Sequence, residues 1–582
     1  MKYPTLNTIA STKEAVEEFR GYNHNLRIGD GENWDEENLT SDFYPVFSPR
    51  KARGYYATPA SPQGMIAKEV LCYVDGENFV YGSQVIALGL STAAEDCPKK
   101  LVSMGAYVCV FPDKKYVNTA DLTDFGSMEA SYTSTGTVTF TMCTSDGTDM
   151  ENVTVSGTAP ESPENGQYWL DTSGSPNVLK KWTVTTAVWV TIQTTYVKIA
   201  SDGIGTGFAV GDGVTISGIT AEGLSGLNGS ALIYGRGDNY LVVVGILGKQ
   251  VTQTGAVTVK RTVPDMDFVT ESGNRLWGCR YGAAANGETV NEIYACKLGD
   301  FKNWNVYAGI ATDAYTASVG SDGPFTGAVT HLGYPLFFKE NCMHKVYGNY
   351  PSNFQIQMTA LRGVQEGCGE SLAIVGETLF YKARGGVCAF DGSLPVDVSA
   401  ALGKVQYGSA VGGAVGDKYY ISMADTAGVW SLFVYDTKTG IWHREDGLHV
   451  ESFATLKSEL YAVDASNRNI LALLGSGEAA EDTVQWMAET GDLGLSDPYG
   501  KYVSKISMRM LVSPETSIDL FVNYDSGTEW EHLCSIRSMH LRSITVPVRP
   551  RRCDHLRLRL KGEGNVKIYS IVKTISGGGD TV

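Results

Sequence analysis

The sequence predicts an all-β protein that consists of a β-propeller platform, small β-domains inserted into it, and a C-terminal β-sandwich. Three observations predict this fold class. A short strand–turn–strand phrase recurs along the chain, and glycine (66 residues) and tyrosine (31 residues) are abundant among the 582 residues. The C-terminal segment also alternates apolar and polar residues with the period of a half-buried strand. Abundant glycine and aromatic residues are typical of many short strands joined by tight turns.

The recurring phrase consists of two apolar positions, a turn residue, and an aromatic or aliphatic strand. The turn residues of five copies are Gly273, Gly333, Gly376, Gly416 and Lys457. Successive turns lie 60, 43, 40 and 41 residues apart. A period of about 40 to 50 residues with short strands is typical of propeller blades. An earlier copy at residues 101–110 lies so far upstream that about 125 residues are inserted between two blades.

Five parts follow from these patterns. In chain order they are an N-terminal arm (1–60), a first propeller part (61–130), inserted β-modules (131–262, with modules at about 161–200 and 203–258), the remaining blades (263–480) and the sandwich (484–578). The arm is predicted to contain a short helix over Ser11–Phe19. Ser11 would be its N-cap, and Glu14 would complete a capping box. Long insertions between blades are tolerated because the entropy of loop closure grows only logarithmically.

The charge is acidic overall but unevenly distributed. The chain has a formal net charge of −17. From Lys501 to the end, 13 lysine and arginine residues stand against 8 aspartate and glutamate residues, which is +5 and leaves −22 for the rest. An acidic body argues against a protein that grips nucleic-acid phosphates. It would suit a surface past which DNA slides without sticking, or it is ordinary solubilising charge.

The eleven cysteines are odd in number, and none is spaced as C-x-x-C. This pattern predicts free, buried thiols in a protein made in the cytoplasm. The sequence shows no signal peptide and no apolar run long enough to cross a bilayer, so no membrane anchor is expected.

The search for catalytic and metal-binding motifs predicts no catalytic residue, no metal site and no cofactor, and therefore no enzyme. No nucleophile elbow, zinc-protease motif, phosphate-binding loop or EF-hand loop occurs. His331 is interpreted as structural, and the acidic segment 30–37 as a solvated or interface-facing stretch. Asp265, Asp267 and Asp417 would be the carboxylates to test for glycoside hydrolysis, because their spacing is three-dimensional.

Two residue groups are candidates for binding. Tyr168, Trp169 and Trp182 would bind a glycan by stacking on sugar rings, or would form the core of a small module. The basic run Arg549–Arg552 would contact phosphate together with Arg557 and Arg559, or would pair with an acidic neighbouring subunit. The subunit contact is preferred because the run is short and lacks interleaved aromatic residues.

Several phrases resemble the nozzle, or tail-tubular-B-like, proteins of tailed bacteriophages, some of which are described as stabilisation proteins. The segments that carry the resemblance include Gly21–Asn25, Asp30–Glu32, Asn38–Thr40, Tyr44–Arg50, Asn274–Gly278, Ile293–Ala295, Leu298–Trp304, Phe337–Glu340, Val346–Gly348, Pro351–Phe354, Gly376–Phe380, Gly385–Val387 and Phe390–Gly392. They cover the arm and the blades, about two thirds of the chain. The insert and the C-terminal domain depart from the simplest pattern. The resemblance implies a ring, usually of six copies, below the portal or adaptor and around the channel through which the genome leaves. It implies no catalytic residues.

The sequence therefore predicts a virion structural protein of a phage tail, synthesised in the host cytoplasm. Its expected partners are further copies of itself, the portal or adaptor and other tail proteins, and DNA that passes without sequence-specific binding. The predicted subunit interface consists of Tyr22, Asn23, Tyr44, Arg549, Arg551 and Arg552. The alternative is a tail-associated protein that binds host-receptor glycan through Tyr168, Trp169 and Trp182. A propeller hydrolase would instead require paired carboxylates at the propeller mouth.

Overall fold

A computed structural model of the chain describes residues 11–283, 287–494, 501–549 and 551–577. These residues form β-strands, turns and five short 3₁₀ turns, with no α-helix among them. The 3₁₀ turns are Ala94–Asp96, Ser225–Leu227, Pro351–Asn353, Gly369–Ser371 and Ala400–Leu402. The prediction of an all-β protein is confirmed.

Seven antiparallel sheets, here called blades 1 to 7, make up the largest part of the molecule. The strands of blades 1 and 2 are Pro62–Ala67, Leu71–Asp75, Asn78–Tyr81 and Gln84–Ile86, then Lys100–Met104, Tyr107–Phe111, Lys115–Asn118 and Phe125–Ser127. Those of blades 3 and 4 are Phe268–Ser272, Arg275–Ala283, Thr289–Ala295 and Tyr315–Ser318, then Gly327–His331, Tyr334–Lys339, Cys342–Tyr347 and Gln355–Ala360. Those of blades 5 and 6 are Ala373–Val375, Thr378–Ala383, Gly386–Phe390 and Val396–Asp397, then Tyr407–Val415, Lys418–Asp425, Trp430–Asp436 and Ile441–Arg444. Blade 7 comprises Val450–Leu456, Glu459–Asp464, Ile470–Ala472, Gly54–Ala57 and Glu478–Ala479.

The first strands of the blades surround a common axis. Except between blades 4 and 5, each contacts the first strand of the next blade, and that of blade 7 contacts that of blade 1. Blade 4 meets blade 5 through the turn Gly369–Ser371, and His331 of blade 4 bonds the carbonyl of Glu377 in blade 5 at 2.7 Å. A closed ring of sheets with four or more strands is the arrangement of a β-propeller.

The turn that recurs in the sequence joins the first and second strands of blades 3 to 7. Gly273, Gly376 and Gly416 have φ near +60°, and Lys457 also has a positive φ. Such backbone conformations favour glycine, which explains the phrase. The recurring phrase does not reveal blade 1, because its corresponding turn, residues 68–70, contains no glycine.

Blade 7 is completed by a strand from the N-terminal arm. Gly54–Ala57 pairs with Ile470–Ala472 in antiparallel register, with Gly54 opposite Ala472. A side chain at Gly54 would collide with the Ser476 carbonyl, because a Cβ atom there would lie 1.8 Å from that oxygen. The ring is therefore closed by hydrogen bonds between distant parts of the chain.

The insert between blades 2 and 3 contains three sheets. The first comprises Ala130–Thr133, Thr258–Arg261, Gly213–Ser217 and Gly229–Leu232, and the second Gly235–Gly237, Tyr240–Val244, Tyr196–Ala200, Val138–Cys143 and Val251–Gln253. The third, here called the tryptophan sheet, comprises Val153–Ser156, Tyr168–Asp171, Val178–Thr183 and Val188–Thr191. It is nested in the connection between Val138–Cys143 and Tyr196–Ala200, which pair with each other. The sequence predicts two successive modules, at about 161–200 and 203–258. In the structure the first is instead nested inside the second, whose strands include the upstream Val138–Cys143.

The C-terminal domain is built around one long bent strand, Lys501–Tyr524. Its first half pairs with Val566–Gly577 and its second half with Leu556–Glu563, and both halves pair with Glu531–Val546. All of these strands belong to one eight-stranded sheet that bends with Lys501–Tyr524, and its buried side chains form one apolar core that includes Met510, Ile518 and Ile568. The further strands of the domain are Ser11–Val16, Asn33–Glu37, Gln485–Thr490 and Arg552–Cys553, and a separate small pair is formed by Leu39–Thr40 and Ser48–Pro49.

The helix predicted over Ser11–Phe19 is wrong. Residues Ser11–Val16 form a strand that pairs with Val566–Gly577, from Ser11 opposite Ser576 to Val16 opposite Ile571. Pairing with the edge of a sheet supplies the backbone hydrogen bonds that an isolated short helix would form only marginally. The arm is consequently an integral part of the sandwich.

Two buried arginines fix the arm to blades 6 and 7. The Arg53 guanidinium contacts Glu445 at 2.8 Å and Asp446 at 2.7 Å. Arg50 contacts Glu481 at 2.7 Å. The Arg53 side chain is 4% exposed, so these pairs are poorly screened by solvent.

Replacing Arg53 with alanine should destabilise the arm–propeller contact by about 3–5 kcal/mol, because the buried Glu445 and the half-buried Asp446 would lose their nearest counter-charge and keep only Arg50 at 3.5 Å. The denaturation midpoint in urea measures the effect. The exposed neighbour Lys51 provides the control variant Lys51→Ala. Equal midpoints for the two variants would contradict the assigned role of Arg53.

The same network should make stability depend on acidic pH. Burial alone would raise the pKa of Asp446 and Glu481, but Arg53 and Arg50 respectively outweigh it and leave both pKa values lowered. Their contribution is thus complete above the unfolded values of about 3.9 and 4.3, and is lost as the pH falls through the folded values. The thermal midpoint of the wild type should fall more steeply below about pH 4 than that of Glu481→Gln. Parallel curves would refute this dependence.

Candidate functional site

The three predicted interface residues of the arm lie in different environments. Tyr22 is buried, with its ring 5.7 Å from those of His24 and Phe433 and its amide donating to the Trp442 carbonyl at 2.7 Å. The prediction of a subunit contact is therefore wrong for Tyr22, which belongs to the core. Asn23 is half-buried and donates to Glu32 at 2.9 Å. Tyr44 is exposed at the surface.

The acidic segment 30–37 is only partly solvated, and three of its carboxylates form contacts with the sandwich and blade 6. Asp30 contacts Lys573 at 2.8 Å, and Asp35 contacts Arg444 at 3.0 Å. Glu36 is fully buried and pairs with His443 at 2.7 Å. These carboxylates hold the arm between the sandwich and blade 6.

The basic run lies at one end of the sandwich, and its arginines are exposed. Arg551 contacts Glu531 at 3.2 Å and lies over the ring of Tyr524, with 5.3 Å to the ring centroid. The carbonyl of Arg549 accepts a hydrogen bond from the Tyr524 hydroxyl at 3.4 Å. Arg552 is exposed beside them, whereas Pro550 lies outside the described residues.

The run continues an exposed strand, Glu531–Val546, here called the basic edge strand. Among the described residues this strand pairs only with Lys501–Tyr524, so its other edge is unpaired. It presents Arg537, Arg542 and the 54% exposed side chain of Leu541. An unpaired strand of this length offers a row of free backbone donors and acceptors to another chain.

Arg557 and Arg559 do not extend this basic surface. Arg557 contacts Asp492 at 2.6 Å, and Arg559 contacts Glu489 at 2.6 Å. The hydrogen bond from Arg557 lowers the pKa of the Asp492 carboxyl. Their charges are therefore neutralised within the sandwich, and the expectation that they join the run in contacting phosphate is not met.

The aromatic residues of the tryptophan sheet contact one another. Trp169 is 5% exposed and donates its indole N–H to the Ser156 carbonyl at 3.0 Å. Trp189 lies between Trp169 and Trp182, with ring centroids 5.3 and 5.4 Å away. Tyr168 and Trp182 are half-buried. Trp169 therefore offers no face to a sugar, and this residue serves the core of the sheet.

A cavity of about 450 Å³, lined by both apolar and charged residues, lies on the propeller axis. Residues of the first strands of blades 1, 2, 3, 6 and 7 line it, together with Pro98, Lys99, Gly367, Gly369, Glu370 and Leu372. Across the axis, Lys100 of blade 2 contacts Glu370, which precedes blade 5, at 2.9 Å. The cavity also contains Asp267 and Glu451.

The other carboxylates and histidines singled out in the sequence form ion pairs or structural bonds. Asp265 contacts Lys114 at 2.8 Å, and Asp267 contacts Arg280 at 3.1 Å. Asp417 contacts Lys438 at 2.5 Å on the far side of the propeller. His331 is buried and serves the contact between blades 4 and 5.

Within the described ranges, no group of three or more histidine, cysteine, aspartate or glutamate side chains is placed to hold a metal ion. All eleven cysteines are free, and nine of them are buried. Burial raises the pKa of the Cys296 thiol to about 12. The part of the chain that the structure describes contains no helix long and apolar enough to span a membrane.

No protein-family model matches the chain. No curated protein sequence matches it either. Solved structures do match, with low structural agreement. An exo-β-1,3-galactanase from Phanerochaete chrysosporium is 9% identical over 52% of this chain and 94% of its own, with a TM-score of 0.22. The endosialidase of phage phi92 is 11% identical over 75% of this chain and 68% of its own, with a TM-score of 0.23. A puromycin-hydrolysing peptidase from Mycobacterium tuberculosis is 11% identical over 75% of this chain and 61% of its own, with a TM-score of 0.24.

These matches contradict the prediction that the chain is not an enzyme, because the matching structures include glycoside hydrolases and peptidases. That prediction is withdrawn. TM-scores near 0.2 assign no reaction, substrate or catalytic residue to this chain.

Replacing Trp169 with alanine should destabilise the tryptophan sheet by about 3–5 kcal/mol, the usual cost of truncating a buried aromatic residue. Hydrogen exchange within residues 153–191 would measure the effect, and the half-buried Trp182→Ala provides a matched control with a smaller expected loss. If Trp169→Ala kept full protection but abolished binding on a glycan array, Trp169 would be a sugar platform instead.

Proposed function

We propose that the chain is a structural protein of a phage tail whose copies assemble into a ring below the portal or adaptor, around the channel through which DNA leaves. The observation that carries the proposal is the basic edge strand. Its free edge, its exposed Leu541 and the adjoining arginines combine the three features by which one chain recognises another: backbone pairing, apolar area and charge.

The charge distribution supports contact between different surfaces of successive copies. The segment from residue 501 onward carries +5, and the remainder carries −22. The basic end of one copy would therefore be attracted to the acidic body of the next and repelled by another basic end. Such a head-to-tail contact uses two different patches and produces a ring when the rotation closes. The resemblance to nozzle proteins implies six copies.

The acidic body would also suit the channel wall. DNA carries one phosphate charge per about 1.7 Å of duplex, so a basic lining would hold it by releasing counterions. A net charge of −22 outside the C-terminal segment favours passage without adhesion.

The variant Arg551→Ala/Arg552→Ala should weaken assembly, because it removes two exposed charges from the end that meets the next copy. Mass photometry over a concentration series at low salt measures the ring population, and added salt should weaken the wild-type ring. The matched control Lys249→Ala/Lys404→Ala removes two exposed charges from the insert and the propeller. Normal assembly of the arginine variant would show that Arg551 and Arg552 are not part of the subunit interface. A wild type that remains monomeric with its virion partners would refute the ring.

A further inference from the structure

Two of the first strands that line the axial cavity contain register irregularities. The first strand of blade 7 bulges at Glu451, since Val450 lies opposite Asp464 and Ser452 opposite Val463. Blade 1 bulges between Pro62 and Met65. Bulges turn a side chain away from its normal alternation and occur frequently beside binding sites. Here Glu451 is the extra residue, and it lines the cavity.

One carboxylate in the cavity lining has no paired positive charge. Lys100 is paired with Glu370 at 2.9 Å, and Asp267 with Arg280 at 3.1 Å. Lys99, also in the lining, is paired with Asp113 at 2.5 Å. These pairs cancel in net charge. The cavity therefore carries about one negative charge, and that charge belongs to Glu451.

No ion pair or hydrogen bond engages the Glu451 carboxylate among the described residues, and burial raises the pKa of this carboxyl. The adjoining Ser452 hydroxyl is also buried without a hydrogen-bond partner. A partly buried carboxylate without a counter-charge is costly unless a ligand or water satisfies it. Two neighbouring groups of this kind lie in one bulge, and both residues belong to the cavity lining, which indicates a site for a polar ligand.

We propose that the axial cavity binds a small organic cation, an alkylammonium group, with Glu451 as its counter-ion. Phe268 and Phe453 are also lining residues of the cavity, and aromatic rings attract ammonium groups through their quadrupoles. The Ser452 hydroxyl would accept one N–H. A volume of about 450 Å³ lies within the range of small-molecule sites.

The test is titration of the full-length protein with n-butylammonium chloride, followed by ligand-observed NMR and calorimetry. The neutral probe n-butanol has the same length and no charge. We expect butylammonium to bind at least ten times more tightly than butanol, and Glu451→Gln to remove that preference. Glu377→Gln removes a carboxylate from an exposed turn on the opposite face of blade 5 and should leave binding unchanged.

Each outcome decides the proposal. Equal affinity for the two probes, or unchanged butylammonium binding by Glu451→Gln, would overturn it, as would no binding of either probe. Thermal melting verifies that Glu451→Gln is folded, which is expected because the carboxylate has no partner to lose. If that variant unfolded, Glu451→Asp would replace it. Undiminished butylammonium binding by Glu451→Asp would contradict a direct contact between the Glu451 carboxylate and the ammonium group. Arg551 and Arg552 do not line the axial cavity. The binding test is therefore independent of whether the protein assembles into a ring.

Discussion

The antiparallel pairing of Gly54–Ala57 with Ile470–Ala472 is the constraint on which the rest of the structure depends. It joins residues more than 400 positions apart and completes the last blade. Without it, blade 7 would expose an open edge and would lose the backbone hydrogen bonds that join it to the segment leading into blade 1. Arg50 and Arg53 lie immediately before this strand and anchor it through buried ion pairs. The strand is thus held by backbone pairing on one side and by charge on the other.

The same arm connects the propeller to the sandwich. Ser11–Val16 and Asn33–Glu37 are strands of the C-terminal domain, whereas Tyr22 and Glu36 contact blade 6. One segment therefore belongs to both domains, and neither could move far without breaking its strand pairs. A ring-forming protein would benefit from this coupling, because a contact at the basic edge strand then positions the propeller as well.

The sequence allowed the propeller to be predicted because its turns have a local cause. A positive φ after the first strand favours glycine at Gly273, Gly376 and Gly416, and this preference is visible without a structure. The features that were missed have non-local causes. Ser11 begins a strand only because Ser576 lies opposite. The sequence around Tyr22 does not show whether this side chain is exposed or buried, because its burial depends on contact with the distant Phe433. The bulge that presents Glu451 is a property of strand register, which no residue pattern at that position specifies.

The insert between blades 2 and 3 is long, but hydrogen bonds to blade 3 fix its position. Its Asp212 accepts hydrogen bonds from Arg261, in the strand that returns to the propeller, and from Asn303 of the blade 3 loop at 2.9 Å. Asn303 in turn accepts a bond from the Gly213 amide at 2.9 Å, and Lys297 donates to the Gly211 carbonyl at 3.1 Å. Loop-closure entropy alone would permit the insert almost any orientation. These buried bonds instead seat it against blade 3, so its outer tryptophan sheet has a fixed direction relative to the propeller. In an assembled ring, that direction would determine whether the sheet faces the next copy, the channel or the solvent.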